Sequence, residues 1–285
     1  MCKLVIMIVS ELVEAFHADG FAIARGLFRA DEVERLRAHY MALRESGPQP
    51  LDYAGEDLQA ADPLKRYPRM IHMHRWDAAS LGYLRDARIV GCLKALFPGE
   101  PYGVQTMVYF KPPGARGQAP HQDNFYLRVE PGTCAAAWMA LDPCDEENGC
   151  MWMVPGSHRM PLLCTERADT RESFTDVTVP VPPHLERRAI VMEPGDVVFF
   201  HGSTIHGSAP NRSPDRFRRA VIAHYATGDA RSIHADYHPV VRLDGAPGSL
   251  ARSAEGGPCG VFVERDGSRT IELTDRPQMS PRLRE

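Results

Sequence analysis

The hydrophobic positions of the chain follow two patterns, helical before about residue 100 and strand-like after it. Two stretches, "ELVEAFHADG" after Ser10 and "DEVERLRAHYMALRES" from Asp31, carry apolar residues at helical spacing. Ser10 and Asp31 are N-cap residue types, and Asp31 and Glu34 have capping-box spacing. A third stretch, "DARIVGCLKALF", is closed by Pro98 and Gly99. The pattern therefore predicts three helices, with a short strand at "FAIARGLF" between the first two.

From residue 102 onward the pattern changes to short apolar runs separated by turns. The turn signals are "EENG" at 146–149, "VPGS" at 154–157 and "EPGD" at 193–196. The runs are "YGVQTMVYFK", "TCAAAWMALDP", "GCMWMVPGSH", "RAIVMEPGDVVFFHGSTIHGSAP" and "RRAVIAHYATG". Several short strands without a long helix among them indicate a β-sandwich or jelly roll. A last hairpin is expected at "GVFVERDGSRTIELT", turning at Asp266-Gly267, ahead of a frayed tail.

Together these patterns predict one layout for the chain, mainly β with flanking helices. We expect a single domain over residues 1–285, with a helical N-terminal part at about 10–100. A jelly-roll core would span about 102–228, and a C-terminal extension with the hairpin about 229–285. Residues 46–81 are polar, Pro-rich and irregular. An irregular segment of that length is usually functional or disordered, so it is a candidate lid or substrate wall, with ordinary loop packing as the open alternative.

Composition and charge exclude several classes of function. The chain is 44% hydrophobic and 25% charged, which is typical of soluble globular proteins. Its net charge of −4 and the lack of a Lys/Arg-rich run argue against a nucleic-acid partner. The apolar run Leu4–Val9 is too short for a membrane span or a signal peptide, so we expect a strand or the lead-in to a helix. We therefore expect no membrane partner.

The cysteines are odd in number, scattered, and contain no C-x-x-C. That distribution argues against a disulfide framework and against a zinc ribbon. We expect reduced thiols in a cytoplasmic protein. The seven cysteines are Cys2, Cys92, Cys134, Cys144, Cys150, Cys164 and Cys259.

A metal site is suggested by "GQAPHQDNFYLRVEP", where His121 and Asp123 stand two residues apart. On an extended segment, residues i and i+2 face the same side, so both side chains could point into a barrel interior. A third ligand could come from "FFHGSTIHGSAPN", which offers His201 and His206, 80 and 85 residues downstream (201 − 121 and 206 − 121). Two histidines and one carboxylate suit a non-haem Fe(II) site, whereas zinc more often takes three histidines or cysteines.

An iron oxygenase that uses a 2-oxo acid also needs a cation for the far carboxylate of that cosubstrate. Arginine suits this role because its planar fork binds a carboxylate bidentately. The segment "NRSPDRFRRAVIAHY" supplies Arg212, Arg216, Arg218 and Arg219. If a strand begins at Arg218, then Arg218 and Arg219 face opposite sides and only one points inward. The competing interpretation is a β-sandwich whose His and Arg side chains are satisfied by backbone groups or solvent.

In these residues the chain resembles the phytanoyl-CoA dioxygenase family of Fe(II)- and 2-oxoglutarate-dependent oxygenases, to which ectoine hydroxylase is related. The resemblance rests on "QTMVYFKPPG", "HQDNFYL", "AAAWMALDPCDEENGCMWMVPGSH", "PGDVVFFHGSTIHGSAPNRS" and "FRRAVIAHY", in order between residues 105 and 225. The opening "EAFHADGFAIARGLF" is also similar to the first helix and strand of that family. A double-stranded β-helix (cupin-like jelly roll) and the cofactors Fe(II), 2-oxoglutarate and O₂ are what the resemblance implies.

The resemblance also implies roles for single residues. His121, Asp123 and His206 match the iron ligands, and His201 matches a position that does not bind iron. Arg218, with Arg219 as the alternative, matches the arginine that binds 2-oxoglutarate. The residues that match the rest of the cosubstrate pocket are Ser208, Gln105, Met107 and Trp138. For Met107 and Trp138 simple core packing is an open alternative.

The implied activity is hydroxylation of an unactivated C–H bond of a small molecule, with release of succinate and CO₂. Related halogenases have Ala or Gly at the position of Asp123, so halogenation is not expected. A secondary metabolite, an amino-acid-like solute or an acyl thioester could be the substrate, and Asn124, Phe125, His72 and Arg69 are candidates to contact it. Desaturation, epoxidation or cyclisation would use the same ligands. A non-catalytic metal- or metabolite-binding jelly roll and a zinc hydrolase are the alternatives from other classes, and the chain could be a monomer or a homodimer.

Overall fold

The computed structural model describes residues 3–52, 61–244, 246, 248–254, 256–265, 267–275 and 278, with side chains from Ser10 onward. The helices are α1 (Lys3–Asp19), α2 (Ala30–Glu45), α3 (Pro63–Arg66), α4 (Ala78–Leu84), α5 (Ala87–Leu96) and α6 (Asn124–Leu127). The strands of the first half are β1 (Phe21–Ala24), β2 (Met70–Ile71), β3 (Tyr102–Lys111), β4 (Gln118–His121), β5 (Cys134–Ala140), β6 (Met151–Met153), β7 (Glu166–Arg167) and β8 (Val177–Thr178). Those of the second half are β9 (Arg188–Ile190), β10 (Val197–His201), β11 (His206–Ser208), β12 (Arg218–Ala226), β13 (Ser232–Ile233), β14 (Val241–Arg242), β15 (Ala251–Arg252), β16 (Cys259–Arg265) and β17 (Ser268–Thr274).

The three helices expected from the hydrophobic pattern are present, but α1 begins at Lys3, so the expected cap at Ser10 is wrong. The apolar run before Ser10 belongs to α1, so it is the lead-in to a helix rather than a strand. For α2 the expected cap at Asp31 is wrong: the helix begins at Ala30, and Glu32 accepts the backbone N–H of Arg29 at 2.9 Å. The start of α5 is capped by Asp86, whose carboxylate accepts the N–H of Arg88.

Two antiparallel sheets form the β core. The larger sheet has the strand order β1-β10-β5-β12-β3-β14, with β2 also paired to β3. The smaller sheet has the order β4-β11-β6-β9. The mainly β architecture with flanking helices confirms the expected jelly roll.

Alternation along the central strands of the larger sheet separates two apolar layers. On β5, Ala137 and Met139 pack with the N-terminal helices, whereas Trp138 and Ala140 pack inward against the smaller sheet. On β12, Val221 packs outward with the helices. Because the side-chain period of a strand is two, every second residue of β3 and β12 therefore faces the space between the sheets. This inner face carries the polar residues of the candidate site.

Residues 46–81 are more ordered than their polar composition predicts. They contain α3 and β2, and α4 begins at Ala78. The strand β2 pairs with β3, where Met70 lies opposite Val108 and Ile71 opposite Met107. Since a strand of two residues shows no alternation, sequence periodicity could not predict it. Residues 53–60 of this segment lie outside the described part.

The C-terminal hairpin is confirmed, and it brings a correction for the cysteines. β16 and β17 pair over their whole length, while Asp266 of the expected turn lies outside the described residues, as does most of the tail. Cys164 and Cys259, 95 residues apart, form a disulfide, so the expectation of reduced thiols is wrong for this pair. Cys92, Cys134, Cys144 and Cys150 are free and buried. Disulfides are rare in reducing compartments, so this pair argues against the predicted cytoplasmic location. That location stays a prediction.

Among the described helices, none combines the length and the apolar character that crossing a bilayer requires.

Candidate metal centre and cosubstrate pocket

Three side chains converge between the two sheets at the open end of the barrel. His121 ends β4, His206 begins β11, and the two residues are direct partners in the antiparallel register of these strands. Asp123 follows at the start of α6. One donor atom from each of the three lies within 4.8 Å of the others, and all three residues are buried. Each Nε2 faces the same carboxylate oxygen, because Oδ1 of Asp123 is 3.5 Å from His121 and 3.7 Å from His206.

Hydrogen bonds on the far side of each ring set the tautomer of both histidines. Nδ1 of His121 lies 2.9 Å from the carbonyl of Ala119, and Nδ1 of His206 lies 3.0 Å from the carbonyl of Thr204. A carbonyl can only accept, so each Nδ1 carries the proton and each Nε2 keeps its lone pair. Burial, followed by the neighbouring His121, lowers the pKa of His206 to about 4. This imidazole is therefore neutral at physiological pH, as a metal ligand must be.

The other oxygen of Asp123 is held by a fourth residue, His224. Its Nε2 lies 3.2 Å from Oδ2 of Asp123, and both side chains are buried. Burial alone would raise the pKa of Asp123, but the imidazoles of His206, His121 and His224 outweigh it and hold that pKa well below its ordinary value. The carboxylate is thus ionised, and its two oxygens have different partners. Oδ1 faces the two ring nitrogens, and Oδ2 is hydrogen-bonded to His224.

His201, the alternative third ligand, stands outside this cluster. It ends β10, and its Nδ1 accepts the N–H of Ser203 at 3.0 Å. Its ring packs near those of Phe97 and His158, with centroids 6.2 Å and 5.7 Å away. The geometry therefore offers His206, and not His201, to a metal beside His121 and Asp123.

Arg218 lies on the inner face of β12, and Arg219 turns away from it. The guanidinium carbon of Arg218 is 5.3 Å from the centre of the Trp138 ring, and its Nε is buried with no hydrogen-bond partner among the described residues. Arg219 instead makes two bonds to Asp142, at 2.8 Å and 2.7 Å. Of the two candidates, only Arg218 is placed to receive an anion in the pocket.

Strand β3 supplies the wall beside Arg218. Gln105 and Met107 lie on its inner face, and Ser208 faces the same space from β11, so these three and Trp138 line the same cavity as Arg218. Sequence reasoning missed Lys111, which ends β3 on the same face and whose ammonium lies 3.1 Å from Oγ of Ser208. Its parity with Met107 along the strand was the available signal.

Gln118 is a second residue that sequence reasoning missed. Its side-chain amide lies 3.1 Å from Nε2 of His121 and is the donor to that lone pair. The neighbouring Gly117 allows β4 to approach β11 closely, because a Cβ at this position would come within 2.0 Å of the carbonyl oxygen of Ser208. A side chain at residue 117 would push the two ligand-bearing strands apart.

The cavity that contains both Arg218 and the candidate metal-binding residues has a volume of about 480 Å³, and its remaining part is a chamber beside those residues. Aromatic side chains make much of its wall, namely Tyr109, Phe125, Tyr126, Phe174 and Tyr237. Arg69 also lines it, with its guanidinium 4.7 Å from the ring centre of Phe174.

Two of the four candidate substrate residues stand apart from this wall. The side-chain amide of Asn124 accepts the backbone N–H of Val129 and donates to the backbone carbonyl of the same residue. His72 is buried in a left-handed backbone conformation (φ 56°) and packs behind Tyr237. Arg69 and Phe125 are therefore the two that reach the chamber.

The candidate metal-binding side chains fit a non-haem iron, and the buried Arg218 fits one carboxylate of an organic dianion. Two imidazoles that present Nε2 and one carboxylate are the donor set of Fe(II) oxygenases, and a metal held by these three residues would keep other positions for further ligands. The unpartnered Nε of the buried Arg218 fits a carboxylate, because a buried cation is stable only when it is paired. The residues at both ends of the pocket are thus suited to an iron and a bound 2-oxo acid.

Comparisons with known proteins agree with this geometry. The profile described as Phytanoyl-CoA dioxygenase (PhyH) matches residues 16–220, well over half of the chain. Phytanoyl-CoA dioxygenase 1 of Oryza sativa subsp. japonica is 33% identical over 143 residues, which are 50% of this chain and 51% of the rice protein. The chain therefore spans about half the length of that relative.

Two solved structures illustrate the shared fold. The epimerase SnoN, in complex with Fe3+, alpha ketoglutarate and nogalamycin RO, superposes with a TM-score of 0.64 at 20% identity, covering 94% of this chain and 98% of its own. EctD from S. alaskensis, with 2-oxoglutarate and 5-hydroxyectoine, gives a TM-score of 0.61 at 22% identity, covering 78% of this chain and 77% of its own. At these identities the likeness shows the jelly-roll fold, while the profile match shows the family. The chain belongs to the phytanoyl-CoA dioxygenase family of oxygenases.

Proposed function

We propose that this protein is an Fe(II)- and 2-oxoglutarate-dependent dioxygenase that hydroxylates an unactivated C–H bond of a small molecule. The observation that carries the proposal is the convergence of His121, Asp123 and His206 beside a buried arginine without an ion-pair partner among the described residues. In this assignment the three residues hold the iron, and Arg218 with Ser208 holds the far carboxylate of 2-oxoglutarate. Gln105, Met107 and Trp138 line the cosubstrate pocket.

The residues of the chain prepare the site for chemistry that the bound iron, 2-oxoglutarate and O₂ supply, with succinate and CO₂ as products. His224 holds Oδ2 of Asp123, so that only Oδ1 is turned toward the metal position. The carbonyls of Ala119 and Thr204 fix the two imidazoles in the tautomer that presents Nε2. Burial of all these groups excludes bulk water, which strengthens each electrostatic contact.

The small-molecule substrate would lie in the aromatic chamber, above the metal position. The whole cavity, with its cosubstrate end included, has a volume of about 480 Å³, which is within the ordinary range of small-molecule sites. Phe125 and Arg69 are its candidate contacts, whereas His72 and Asn124 would act from behind the wall. We propose that the chain works as one dioxygenase domain, as a monomer or a homodimer.

Other oxidative outcomes are the second candidate, because one structural relative is described as an epimerase. Desaturation, epoxidation or cyclisation would use the same residues around the metal. Mass spectrometry separates hydroxylation, which adds one oxygen, from desaturation or ring closure, which removes two hydrogens. Epoxidation also adds one oxygen, so NMR of the product separates it from hydroxylation. The filled Asp123 position argues against halogenation.

The first experiment is anaerobic addition of Fe(II) and 2-oxoglutarate, which should give a visible charge-transfer band. His121→Ala should abolish the band, and its persistence at full strength would refute the ligand assignment. A screen of succinate release against a metabolite library then identifies the substrate. A non-catalytic binding protein would release no succinate with any compound, and a zinc hydrolase would retain zinc and turn over without 2-oxoglutarate.

A further inference from the structure

Lys111 is a buried lysine that the proposed function does not use. It ends β3 and is 3% exposed. In the antiparallel register of β3 and β12 it is the direct partner of Arg218. Two cationic side chains are thus adjacent on the inner face of the larger sheet, at the end of the pocket away from the metal-binding histidines.

All three contacts of the lysine are with uncharged oxygens. Its Nζ lies 3.0 Å from the carbonyl of Gly149 and 3.1 Å from Oγ of Ser208, and it also contacts the carbonyl of Ala209. An ammonium has three N–H donors and no acceptor, so each of these contacts is a donation from the lysine. In the part of the chain that the structure describes, neither Lys111 nor Arg218 forms an ion pair.

The hydrogen bonds of Ser208 leave one direction for its hydroxyl proton. Oγ of Ser208 accepts from Lys111 and, at 3.2 Å, from the backbone N–H of Gln118. A hydroxyl oxygen has two lone pairs, and these two donors fill both. The O–H of Ser208 must then donate to a third group, and Ser208 lines the cavity that Arg218 also lines.

Electrostatics at this end of the pocket favours an anionic occupant. Burial, followed by the charge of Arg218, lowers the pKa of Lys111 well below its ordinary value. A carboxylate bound between the two cations would oppose both effects, because it returns an opposite charge to a site of low dielectric.

We propose that Lys111 is a positioning residue of the cosubstrate pocket, where its ammonium occupies Ser208 Oγ so that the serine O–H donates to the far carboxylate of 2-oxoglutarate beside Arg218. The inference rests on the proposed function and extends it to a residue that acts through another. The lysine does not touch the cosubstrate in this account. Its effect on the cosubstrate is to fix the direction of one hydrogen bond, that of the Ser208 hydroxyl.

The test is the affinity for 2-oxoglutarate in Lys111→Met, measured anaerobically by titration calorimetry on Mn(II)-loaded protein. We expect the Kd to rise about tenfold or more, the scale of one hydrogen bond to a charged group. The KM for 2-oxoglutarate should rise in parallel while kcat changes by less than about twofold, since the lysine does not contact the reacting atoms. Lys94→Met, at an exposed lysine paired with Glu100, is the matched control and should leave both values unchanged.

A double-mutant cycle separates the proposal from a merely structural role. If the lysine acts through the serine, Lys111→Met in a Ser208→Ala background changes the Kd by less than about twofold. Full additivity of the two effects would overturn the proposal, as would a Kd unchanged in folded Lys111→Met. A lower melting temperature with an unaltered Kd would likewise identify Lys111 as a packing residue only.

Two further variants decide the question if Lys111→Met does not fold. Lys111→Gln keeps N–H donors for the carbonyls of Gly149 and Ala209 while it removes the charge. Ser208→Ala leaves the lysine in place, and a Kd for 2-oxoglutarate unchanged in this variant overturns the proposal by itself. If the wild-type protein binds no 2-oxoglutarate, the proposed function fails. If the wild-type protein binds 2-oxoglutarate and the variants bind it with the same Kd, the proposed function stands and only the inference about Lys111 fails.

Discussion

The buried basic groups at the two ends of the pocket differ in charge and in hydrogen bonding. At the metal end, burial lowers the pKa of His206 to about 4, and each ligand imidazole donates its remaining proton to a backbone carbonyl. At the other end, the guanidinium of Arg218 is buried beside Lys111, and its Nε has no partner among the described residues.

The difference shows which part of the site the chain completes by itself. Neutral imidazoles and an ionised, hydrogen-bonded Asp123 form a preorganised donor set before any metal arrives. The cationic end is balanced only when an anion enters, because uncompensated buried charge is unfavourable. We therefore expect metal affinity to depend on the arrangement of hydrogen bonds, and cosubstrate binding to stabilise the protein strongly.

The largest expected effect is at the metal end, in His206→Ala. Losing one of three ligands should weaken metal binding by more than the roughly 10- to 100-fold that loss of an outer partner costs. Metal content after dialysis and the anaerobic charge-transfer band measure it. His201→Ala is the matched control, five positions earlier (206 − 201), and should keep its metal. Equal metal loss in both variants would contradict the assignment of His206.

At the cationic end, Arg218→Met should raise the Kd for 2-oxoglutarate by about 100-fold, the loss of two charge-assisted bonds. The melting temperature of the ligand-free protein should stay constant or rise, because an unpaired buried charge is removed. Calorimetry and thermal unfolding, with and without 2-oxoglutarate, check both expectations.

Arg219→Met provides the control for that experiment. It breaks the pair with Asp142 on the outer face, so stability should fall while the Kd for 2-oxoglutarate stays constant. If affinity is lost in Arg219→Met and kept in Arg218→Met, then Arg219 and not Arg218 binds 2-oxoglutarate.

An intermediate effect is expected at His224, which holds the second oxygen of Asp123. His224→Phe leaves that oxygen without its donor, and metal affinity should fall about 10- to 100-fold. His224→Gln retains an N–H donor and should recover most of the loss. Competition with a chelator of known affinity measures the series, and equal affinity in both variants would show that the hydrogen bond does not position the carboxylate.

The effect furthest from metal and cosubstrate binding is on stability, and it concerns the buried histidines His72 and His74. Burial lowers the pKa of His72 to about 3 and that of His74 to about 4, against 6.5 as the ordinary value. The unfolded chain therefore takes up these protons first, so their contribution to stability is complete above pH 6.5 and is lost as pH falls toward 4. Between pH 7 and 5 the free energy of unfolding should drop by roughly 2 kcal/mol for each histidine.

His72→Asn tests that pH dependence. Asparagine tolerates the left-handed conformation at this position, so the variant should fold and show a flatter loss of stability with falling pH. His17→Asn, at an exposed histidine, should leave the slope unchanged. Denaturant unfolding at several pH values measures both variants, and identical slopes in wild type and His72→Asn would contradict burial as the cause.

Strand parity and motif spacing predicted much of the site. The parity of Arg218 and Arg219 anticipated that they face opposite sides. His121 and Asp123 do come together, but the extended segment expected to place them is wrong, because β4 ends at His121 and Asp123 has helical backbone. The roles of Lys111, Gln118 and His224 depend on the register between strands far apart in the chain, which no local pattern states.

Other misses have the same physical origin. The two-residue strand β2 owes its existence to pairing with β3 rather than to its own alternation. The Cys164–Cys259 disulfide joins residues 95 apart, and scattered cysteines of odd number give no sign of which two will meet.

That disulfide also changes how the residues of the candidate site are connected along the chain. The closed ring from Cys164 to Cys259 contains His206, Ser208, Arg218 and His224, whereas Lys111, His121 and Asp123 lie on the open chain before it. A protease that nicks the irregular stretch between β8 and β9 would leave both fragments joined under oxidising conditions. The site would then be a two-chain assembly held by one bond, and reduction after nicking would free one set of residues from the other.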